Sequence, residues 1–369
     1  MTIRVAFVLP SFAGGGAERV ILTFLRRLDR ARFDPAMIVF DARGPLADLV
    51  PGDVAVHDLA QPRLRHAMPS LIRLLRRLDP LLIVSTLGYV NLALLAARPL
   101  LPRRARLIVR EANLPAQSLS TVPHPGLMRA AYRLLYPRAD AIICGAQVVA
   151  DSLTSDFGAR PQQLRLLFNP VDEAALRMAA TTPQREPGPG LRFVAAGRLT
   201  VQKGFDRLLD MMAGLAPETR LTILGDGPDR AALEARAAGL GLGARVSFAG
   251  FDWSPWARYA GADAFLLPSR WEGMPNAALE ALAVGTRVIG CPEAGGIGEI
   301  AALAPAGAVT IATAGPAFVA ALHAAAVDAP ATIRPSLLPR QFQIAPAARA
   351  FEALLETMAA PDIPARRAA

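Results

Sequence analysis

Short runs of apolar residues alternate with stretches of helical periodicity along the whole chain. The first half contains five such runs, which we predict to be the strands Ile3–Leu9, Ala36–Phe40, Leu81–Ser85, Leu107–Val109 and Ala141–Cys144. The second half contains another five, which are Leu191–Ala196, Arg220–Leu224, Val246–Ala249, Ala264–Leu267 and Arg287–Gly290. Nearly continuous apolar runs are typical of strands that are covered on both faces, so the sheets should be parallel. The pattern therefore predicts an α/β fold with two doubly wound, Rossmann-like domains.

The chain of 369 residues is long enough for two domains with separate cores. Residues 169–190 are rich in proline and in turn-forming residues, which is typical of a linker. We therefore predict an N-terminal domain over residues 1–170, a linker over 171–190, a second domain over 191–345, and a C-terminal helix and tail over 346–369. Because ligands of doubly wound sheets bind beyond the carboxyl ends of the strands, we expect a cleft between the two domains.

The positive charge of the chain is concentrated in its first half. The net charge is +9, and residues 1–175 carry 22 arginines against 14 acidic residues, whereas residues 176–369 carry 18 basic residues against 17 acidic ones. This asymmetry favours an anionic partner for the first half, either a membrane surface or an acidic acceptor. The basic stretches lack the interleaved aromatic residues on which bases stack, so nucleic acid is not an expected partner.

Residues 62–80 combine arginines with leucines at helical spacing, which predicts a basic helix. A second arginine cluster follows at Arg98, Arg103, Arg104 and Arg106. Two interpretations stay open at this point. The first is an ordinary domain helix with its leucines in the core, and the second is a helix that docks on anionic lipid. The second interpretation suits an acceptor that is carried by a lipid anchor.

Several features favour a cytoplasmic protein. Cys144 and Cys291 are far apart and form no metal-binding pattern, which is typical of buried thiols in a reducing compartment. The chain begins directly with a predicted strand rather than with a signal peptide. Residues 81–97 are uncharged, but interruptions at Gly88 and Asn91 favour a strand followed by a helix over a membrane span. We expect a cytoplasmic location, with peripheral attachment to the inner face of the membrane as a further hypothesis.

The only lysine of the chain is Lys203, against 39 arginines. It lies in the loop GRLTVQKG, which follows a predicted strand, and Arg198 lies five residues before it. Two cations at the carboxyl end of a strand suit a diphosphate, because the arginine offers a planar fork and the lysine a compact charge. A single phosphate oxygen in a tight pocket suits an ammonium better than a guanidinium. The alternative is a residual lysine on a solvated surface.

A second segment, SRWEGMPNAALE, joins a predicted strand to a helix that begins near Pro275. Glu272 and Glu280 are eight residues apart, so each can accept hydrogen bonds from hydroxyl groups of one ligand. A glycine-rich loop, GGGAERV, follows the first predicted strand. This loop can be interpreted equally well as a ligand site or as a structural turn. The pair Asp226 and Asp229 indicates the start of a helix rather than a metal site.

These motifs together resemble glycosyltransferase family 4, whose members are retaining enzymes of the GT-B fold. EGMPNAALE matches its E-x7-E pattern, and AGRLTVQKGFDRLL, LGDGP, VSFAGF, NPVD and GGGAERV occur in its order and spacing. The resemblance implies that Arg198 and Lys203 bind the donor diphosphate and act in catalysis, and that Glu280 holds the ribose hydroxyls. It also implies that Glu272 contacts the donor sugar as a catalytic residue. The remaining donor contacts that it implies are Gly273, Met274 and Asn276 at sugar and phosphate, Phe251 near the nucleobase, and Gly15 and Gly16 at the sugar-diphosphate.

The chain departs from the family pattern at one place. Many members carry a histidine after the strand that here reads LIVREANLP, and this chain has Arg110, Glu111, Ala112 and Asn113 instead. Whether Glu111, as a catalytic residue, or Asn113 supplies the sugar contact stays open.

The resemblance implies transfer of a sugar from a nucleotide-diphosphate sugar, such as a UDP-sugar, to an acceptor hydroxyl with retention of configuration. Polysaccharide, lipopolysaccharide or lipid-linked glycan assembly is the expected setting. No cofactor and no metal are expected. The alternatives are a nucleotide-sugar epimerase on the same scaffold and a basic binding module without transferase activity.

Overall fold

The computed structural model of the protein describes residues 2–327 and 330–360. The chain divides into two units. Unit 1 comprises Met1–Gly145, Val149–Pro170 and Ala345–Ala369, and unit 2 comprises Ala146–Val148 and Val171–Ile344. The predicted boundary at residue 170 lies where the chain passes from unit 1 into unit 2. The predicted linker 171–190 is part of unit 2, and the C-terminal helix returns to unit 1. The last part of the predicted tail, residues 361–369, lies outside the described residues.

Unit 1 is built on a seven-stranded sheet in which every pair is parallel. Its strands are β1 (Ile3–Ser11), β2 (Phe33–Asp41), β3 (Ala55–Asp58), β4 (Leu82–Thr86), β5 (Arg106–Glu111), β6 (Ala141–Cys144) and β7 (Leu164–Leu166). Their order is β3-β2-β1-β4-β5-β6-β7. The central strands are buried because their apolar side chains are covered on both faces.

The helices between these strands are α1 (Gly16–Arg27), α2 (Leu64–Leu78), α3 (Gly88–Ala96), α4 (Pro115–Ser118), α5 (Pro125–Leu135) and α6 (Gln147–Phe157). The last of the described helices, which we label α14 (Ile344–Ala359), adds Phe351 to the core of unit 1. The Phe351 ring stacks on Phe24 of α1 with 4.5 Å between ring centroids. Unit 1 therefore contains residues from both ends of the chain.

Unit 2 repeats the architecture with a six-stranded parallel sheet. Its strands are β8 (Arg192–Ala196), β9 (Arg220–Leu224), β10 (Val246–Gly250), β11 (Ala264–Leu267), β12 (Val288–Gly290) and β13 (Val309–Ile311), in the order β10-β9-β8-β11-β12-β13. Its helices are α7 (Glu173–Ala179), α8 (Phe205–Ala213), α9 (Arg230–Gly239), α10 (Trp256–Gly261), α11 (Asn276–Ala283), α12 (Ile297–Leu303) and α13 (Pro316–His323). The predicted α/β class with two Rossmann-like units is confirmed.

Each sheet has one place where the strand order reverses. In unit 1 the reversal lies between β1 and β4, and in unit 2 it lies between β8 and β11. The connections that leave two such strands turn to opposite faces of the sheet, which opens a crevice at their carboxyl ends, and ligands of doubly wound folds bind there. The loops after β1, β4, β8 and β11 are therefore the places to look for a site.

The basic helix α2 has its leucines in the interior. Leu71, Leu74 and Leu75 are buried, whereas Arg73, Arg76 and Arg77 are exposed. This is the arrangement of an ordinary domain helix, so the leucine stripe of α2 is not available for insertion into lipid. Residues 81–97 form β4 and α3, as expected. None of the helices formed by the described residues has both the length and the apolar character that crossing a membrane requires.

Candidate active site

The loop after β8 carries the arginine and the lysine that the sequence singles out. It contains a short 3-10 turn, Val201–Lys203, which ends at Gly204 with φ of +66°. A Cβ atom on Gly204 would lie 2.1 Å from the carbonyl oxygen of Pro268, so only glycine lets this loop pack so closely on the loop after β11. The two loops of the unit 2 crevice are thus in direct contact.

Side chains from α8 and from both loops hold them together. Arg207 donates from Nε to the carbonyl oxygen of Pro268 and from Nη2 to that of Ser269, each over 2.6 Å. The backbone N–H of Arg270 donates to the carbonyl oxygen of Gln202 over 2.8 Å. Arg270 also forms a bidentate pair with Asp206 at 2.7 and 2.6 Å. These contacts fix the backbone of the two loops, which carries the candidate functional side chains.

Lys203 and Glu272 form an ion pair in this crevice. Lys203 Nζ lies 2.5 Å from Glu272 Oε1, and Ser269 Oγ donates to the same oxygen over 2.8 Å. The Glu272 side chain is 9% exposed and that of Lys203 is 20% exposed, so water screens the pair only in part. Two residues that are 69 positions apart in sequence thus meet at one point. Ser269 is a site residue that the sequence analysis did not identify, because a serine in a turn carries no signal of its own.

Arg198 lies on the same loop and is exposed. Within the described part of the chain its side chain makes no hydrogen bond and no ion pair, whereas most arginines of unit 2 are anchored to carbonyl groups or carboxylates. A guanidinium that is left exposed beside a crevice can bind an anionic ligand without first losing an internal partner.

The segment after Glu272 is shaped by the loop that follows β12. Gly295 has φ of +60°, and a Cβ atom there would lie 2.1 Å from the Glu272 carbonyl oxygen. The Gly296 N–H donates to the Gly273 carbonyl oxygen over 2.8 Å. Met274 is buried, so it can offer a ligand its backbone but not its side chain. Asn276 is the first residue of α11, where backbone N–H groups are not used within the helix.

Glu280 lies one turn further along α11. Its Oε2 accepts a hydrogen bond from Trp256 Nε1 of α10 over 3.1 Å, which orients the carboxylate. No sequence signal identified Trp256, because the contact joins two helices. Phe251, after β10, is 57% exposed and packs against the edge of Trp253 at 4.5 Å between ring centroids. An exposed aromatic pair of this kind can stack on a planar ligand group.

The unit 1 residues occupy a buried polar cluster. Glu111 is 3% exposed, and its Oε2 accepts hydrogen bonds from the hydroxyl groups of Tyr136 and Tyr132. Burial raises the pKa of Glu111, and the tyrosine hydroxyls partly offset this. Asn113 is half-buried, and its Oδ1 accepts from the Leu114 N–H over 2.9 Å. The catalytic role of Glu111 stays a prediction, and its enclosure favours a supporting position over contact with a sugar.

Arg110, to which the sequence analysis assigns no role, precedes Glu111 and is 2% exposed. Its Nη2 donates to Asn169 Oδ1 over 2.6 Å, and burial lowers its pKa to about 10. Gly15 has extended backbone and caps α1, and Gly16 is the first residue of that helix. The carboxylate of Glu18 covers Gly15, since a Cβ atom there would lie 2.4 Å from Glu18 Oε2. Among the described residues, no three histidine, cysteine or acidic side chains are grouped so that they could hold a metal ion.

Two Rossmann-like units, of which the second carries the paired glutamates and the arginine–lysine loop, define a glycosyltransferase of the GT-B class. The model of the family described as "Glycosyl transferases group 1" matches residues 182–328, and that of "Glycosyltransferase Family 4" matches residues 14–175. The chain belongs to glycosyltransferase family 4 and is a transferase.

Relatives with assigned activities are also glycosyltransferases. One relative is N-acetylgalactosamine-N,N'-diacetylbacillosaminyl-diphospho-undecaprenol 4-alpha-N-acetylgalactosaminyltransferase of Campylobacter jejuni. The two sequences are 26% identical over 310 residues, and the alignment covers 80% of this chain and 83% of the relative. The chain is 29% identical over 316 residues to 2-deoxystreptamine glucosyltransferase of Streptomyces kanamyceticus, with 78% and 80% covered. These two enzymes act on very different acceptors.

Solved structures share the fold. The apo form of the lipopolysaccharide outer core galactosyltransferase WaaB superposes with a TM-score of 0.68 at 21% identity, over 96% of this chain and 99% of that one. HepE of Anabaena in complex with UDP superposes with a TM-score of 0.67 at 18% identity, over 97% of both chains.

Proposed function

We propose that the protein transfers a sugar from a nucleoside-diphosphate sugar, such as a UDP-sugar, to an acceptor hydroxyl with retention of configuration at the anomeric carbon. The observation that carries the proposal is the unit 2 crevice, where the only lysine is paired with the first glutamate of the E-x7-E pattern beside an exposed arginine. A cationic group for phosphate and an acidic group for hydroxyls thus lie next to each other.

The chemistry follows from these charges. In the reaction the acceptor oxygen bonds to the anomeric carbon, the bond from that carbon to the phosphate oxygen breaks, and the acceptor proton passes to the departing phosphate. Negative charge grows on the phosphate oxygen as the bond breaks, and Arg198 and Lys203 stabilise it. Glu272 holds Lys203 in position and accepts hydrogen bonds from the donor sugar. No step requires a metal ion.

Glu280, oriented by Trp256, accepts hydrogen bonds from the ribose hydroxyls, and Phe251 packs on the base. The backbone N–H groups around Gly273 and Asn276 bind sugar and phosphate oxygens at the start of α11. These residues hold the donor in the geometry of reaction, which lowers the entropic part of the barrier.

For the acceptor we propose a glycan of the cell envelope, either lipid-linked or part of lipopolysaccharide, and a cytoplasmic location. The Campylobacter relative acts on a sugar that is attached to diphospho-undecaprenol, and a Rhizobium meliloti relative, 33% identical over 166 residues, is the lipopolysaccharide core biosynthesis glycosyltransferase LpsE. The first name supports a lipid-linked acceptor, and the second supports an acceptor that is part of lipopolysaccharide.

The donor assignment is tested by thermal shift and by turnover. A panel of nucleoside diphosphates and their sugars identifies the donor by thermal shift, and product analysis without acceptor reveals any isomerised donor. Arg198→Ala and Lys203→Ala should each lower kcat/KM by about 100-fold or more, because each removes a charge that stabilises the leaving group. Arg287→Ala removes an exposed arginine elsewhere in unit 2 and is the control. Near-normal transfer by both crevice variants would refute the assignment.

We further propose that unit 1 docks on an anionic membrane through an arginine surface, which we define as Arg76, Arg77, Arg98, Arg103, Arg104 and Arg106. The structure joins the two arginine clusters of the sequence, since Arg76 Nε donates to the Leu100 carbonyl oxygen over 2.7 Å and Arg104 pairs with Asp79. Four of these arginines line a cavity of about 390 Å³. Arg98 and Arg106 pair with Asp140, so the exposed Arg76, Arg77 and Arg103 carry the excess charge of this surface. Arginines near an anionic bilayer each contribute about 1 kcal/mol to binding.

Vesicle flotation tests the arginine surface. The protein should float with vesicles of phosphatidylcholine and phosphatidylglycerol but not with phosphatidylcholine alone. Arg77→Ser with Arg103→Ser should weaken vesicle binding by about 30-fold, because each arginine contributes about 1 kcal/mol. Arg287→Ser with Arg340→Ser removes the same charge from unit 2 and should leave flotation unchanged. Equal loss in both double variants would show a net-charge effect and contradict the assigned surface.

A further inference from the structure

Two arginines lie side by side at the amino ends of the unit 2 strands. Arg192 is the first residue of β8 and Arg220 is the first residue of β9. They are register partners in adjacent parallel strands, so their side chains are on the same face of the sheet. The next residues, Phe193 and Leu221, are on the opposite face and belong to the apolar core. The arginines therefore point away from that core.

A cavity of about 420 Å³ lies over the face that carries the two arginines. The first and third residues of both strands line it, and these are Arg192, Val194, Arg220 and Thr222. The segment 183–187 and the helix α10 also line it, and they add Arg185 and Arg258. Four arginines thus border one space, whose volume is in the range of cavities that hold small molecules.

The segment 183–187 is held in place by contacts within unit 2. The Gln184 N–H donates to the Ala257 carbonyl oxygen over 2.8 Å. Arg185 forms a bidentate pair with Asp263 at 2.9 and 3.0 Å, and the Asp263 side chain is fully buried. The cavity is therefore bounded by fixed backbone, and the charge of Arg185 is balanced by a carboxylate.

The charges of Arg192 and Arg220 are not balanced in this way. Arg192 is 6% exposed, and its guanidinium donates to backbone carbonyl oxygens over 2.9 to 3.2 Å. Arg220 donates from Nη1 to the carbonyl oxygens of Pro217 and Thr219. The ion pairs of the cavity arginines, as far as the described residues form them, are those of Arg185 and Arg258. Carbonyl groups orient a guanidinium but do not neutralise it.

Both arginines keep N–H groups for a ligand. A guanidinium has five N–H donors. The printed sequence places Arg220 at a strand start, where its bonds use Nη1 alone, so Nε and Nη2 remain as a fork among the described contacts. The bonds of Arg192 use four of its donors and leave one on Nη2.

The arginines also repel one another. The pKa of Arg192 is lowered by burial and by the positive charges of Arg185 and Arg220, and the carboxylates of Glu186 and Asp263 offset this only in part. Like charges at neighbouring positions of a sheet are unfavourable, and burial strengthens the repulsion. A bound anion would remove this cost.

Glu186 is the acidic side chain among the described residues that line the cavity. It is exposed, and its Oε1 accepts a hydrogen bond from Thr222 Oγ1 over 3.3 Å. An exposed carboxylate is screened by water, so it does not cancel the charge of the buried arginine. It can accept hydrogen bonds from the hydroxyl groups of a ligand.

We propose that this cavity binds a small phosphate ester that also carries hydroxyl groups. The Arg220 fork and the remaining Arg192 donor bind the phosphate oxygens, because guanidinium groups match phosphate geometry. Glu186 and Thr222 bind the hydroxyl groups. Arg192 lies about 13 Å from Ala196, the last residue of β8, so this site is separate from the crevice that contains Lys203. The inference is therefore independent of the proposed function.

Calorimetry with the full chain at low ionic strength tests the proposal. The probes are glucose 6-phosphate, inorganic phosphate and glucose. Wild type should bind glucose 6-phosphate more tightly than inorganic phosphate, and it should not bind glucose. Arg220→Gln should weaken binding of glucose 6-phosphate by about tenfold or more, because hydrogen bonds to charged groups are the stronger ones. Absence of glucose 6-phosphate binding to wild type, or unchanged affinity in Arg220→Gln, would overturn the proposal.

Two controls locate the bound anion. Arg287 is exposed, directly precedes β12 and lies outside the cavity lining, so Arg287→Gln removes the same charge and should leave the Kd within about twofold of wild type. Arg198→Ala should do the same. Equal weakening in Arg220→Gln and Arg287→Gln would show a net-charge effect and overturn the proposal. Weakening in Arg198→Ala instead of Arg220→Gln would assign the anion to the other crevice and overturn it as well.

Glu186→Gln gives a second test at an exposed position, where the fold does not depend on the side chain. The variant should bind inorganic phosphate more tightly than wild type does, because a negative charge is removed. Its preference for glucose 6-phosphate over inorganic phosphate should shrink by about threefold or more, because a hydrogen bond to a hydroxyl group is weakened. An unchanged preference would overturn the assignment of a hydroxyl-bearing ester.

Discussion

Lys203 lies between a glycine and a carboxylate that leave little room around it. A Cβ atom on Gly197 would lie 3.0 Å from Lys203 Cε, and the ammonium reaches Glu272 at 2.5 Å. An ammonium is compact and can turn from a carboxylate to a phosphate oxygen by a small rotation of a flexible stem. A guanidinium is planar and larger, and it binds such groups in one plane. The local geometry thus gives a physical reason for one lysine among 39 arginines.

The exchange Lys203→Arg tests that reason. Although the charge is kept, we expect kcat/KM to fall by about 100-fold, because the guanidinium cannot keep both the Glu272 contact and the phosphate contact in the same space. Steady-state kinetics with the donor identified by thermal shift measures this. The reverse exchange at an exposed position, Arg287→Lys, should change nothing. Activity of Lys203→Arg close to wild type would show that only the charge matters.

The buried carboxyl of Glu111 should make stability depend on pH. Burial raises its pKa in the folded state above the ordinary value of 4.5, so the unfolded chain loses this proton first as pH rises. Stability is therefore lost between the unfolded and the folded pKa values. The Tm of wild type minus that of Glu111→Gln should become smaller as pH rises from about 4, because the variant lacks this titration. Parallel Tm profiles for the two proteins would contradict the predicted effect of the Glu111 carboxyl on stability.

At the scale of the elements, a hydrogen bond between side chains joins helices α10 and α11. Glu280 of α11 should contribute to nucleotide affinity, and Trp256 of α10 should orient it through the 3.1 Å hydrogen bond. We expect Glu280→Ala to raise the Kd for the nucleoside diphosphate by about tenfold to 100-fold, and Trp256→Phe by about threefold to tenfold. Calorimetry measures both, and Glu234→Ala on the exposed side of α9 is the control. An unchanged Kd for Glu280→Ala would remove the ribose assignment.

The three strands that the sequence did not predict all lie at sheet edges. The strands β3, β7 and β13 each lie at an edge of their sheet and have three or four residues, none of which is buried. An edge strand is covered on fewer sides than a central one, so its sequence has no continuous apolar run to reveal it. All ten strands that were predicted are present, with ends displaced by up to three residues, as for Ile3–Ser11 and Phe33–Asp41.

At the scale of the whole molecule, the two units have separate cores. The three tryptophans, Trp253, Trp256 and Trp271, all lie in unit 2, so their fluorescence reports the unfolding of that unit alone. The C-terminal helix α14 contributes Phe351 to the core of unit 1, where it contacts Phe7 and Phe24.

Phe351→Ala should therefore destabilise one unit selectively. Loss of a buried phenylalanine costs about 3–5 kcal/mol, so the unit 1 transition seen by circular dichroism should move to lower denaturant concentration. The tryptophan fluorescence transition should stay in place, and a nucleoside diphosphate should stabilise only that second transition. If both transitions move together in Phe351→Ala, the units do not unfold independently.

The sequence by itself determined the α/β class, the two Rossmann-like units, the central strands and the family, because continuous apolar runs and short loop motifs are local features of the chain. It also identified Arg198, Lys203, Glu272 and Glu280 as candidates, although their roles stay predictions. Only the tertiary structure decided that Lys203 pairs with Glu272, that Trp256 orients Glu280, that Glu111 is enclosed by tyrosines and that Glu18 covers Gly15. Each of these contacts depends on distances between side chains or loops that only the folded backbone brings together. The burial of the α2 leucines was decided in the same way, since amphipathic periodicity does not say whether protein or lipid covers the apolar face.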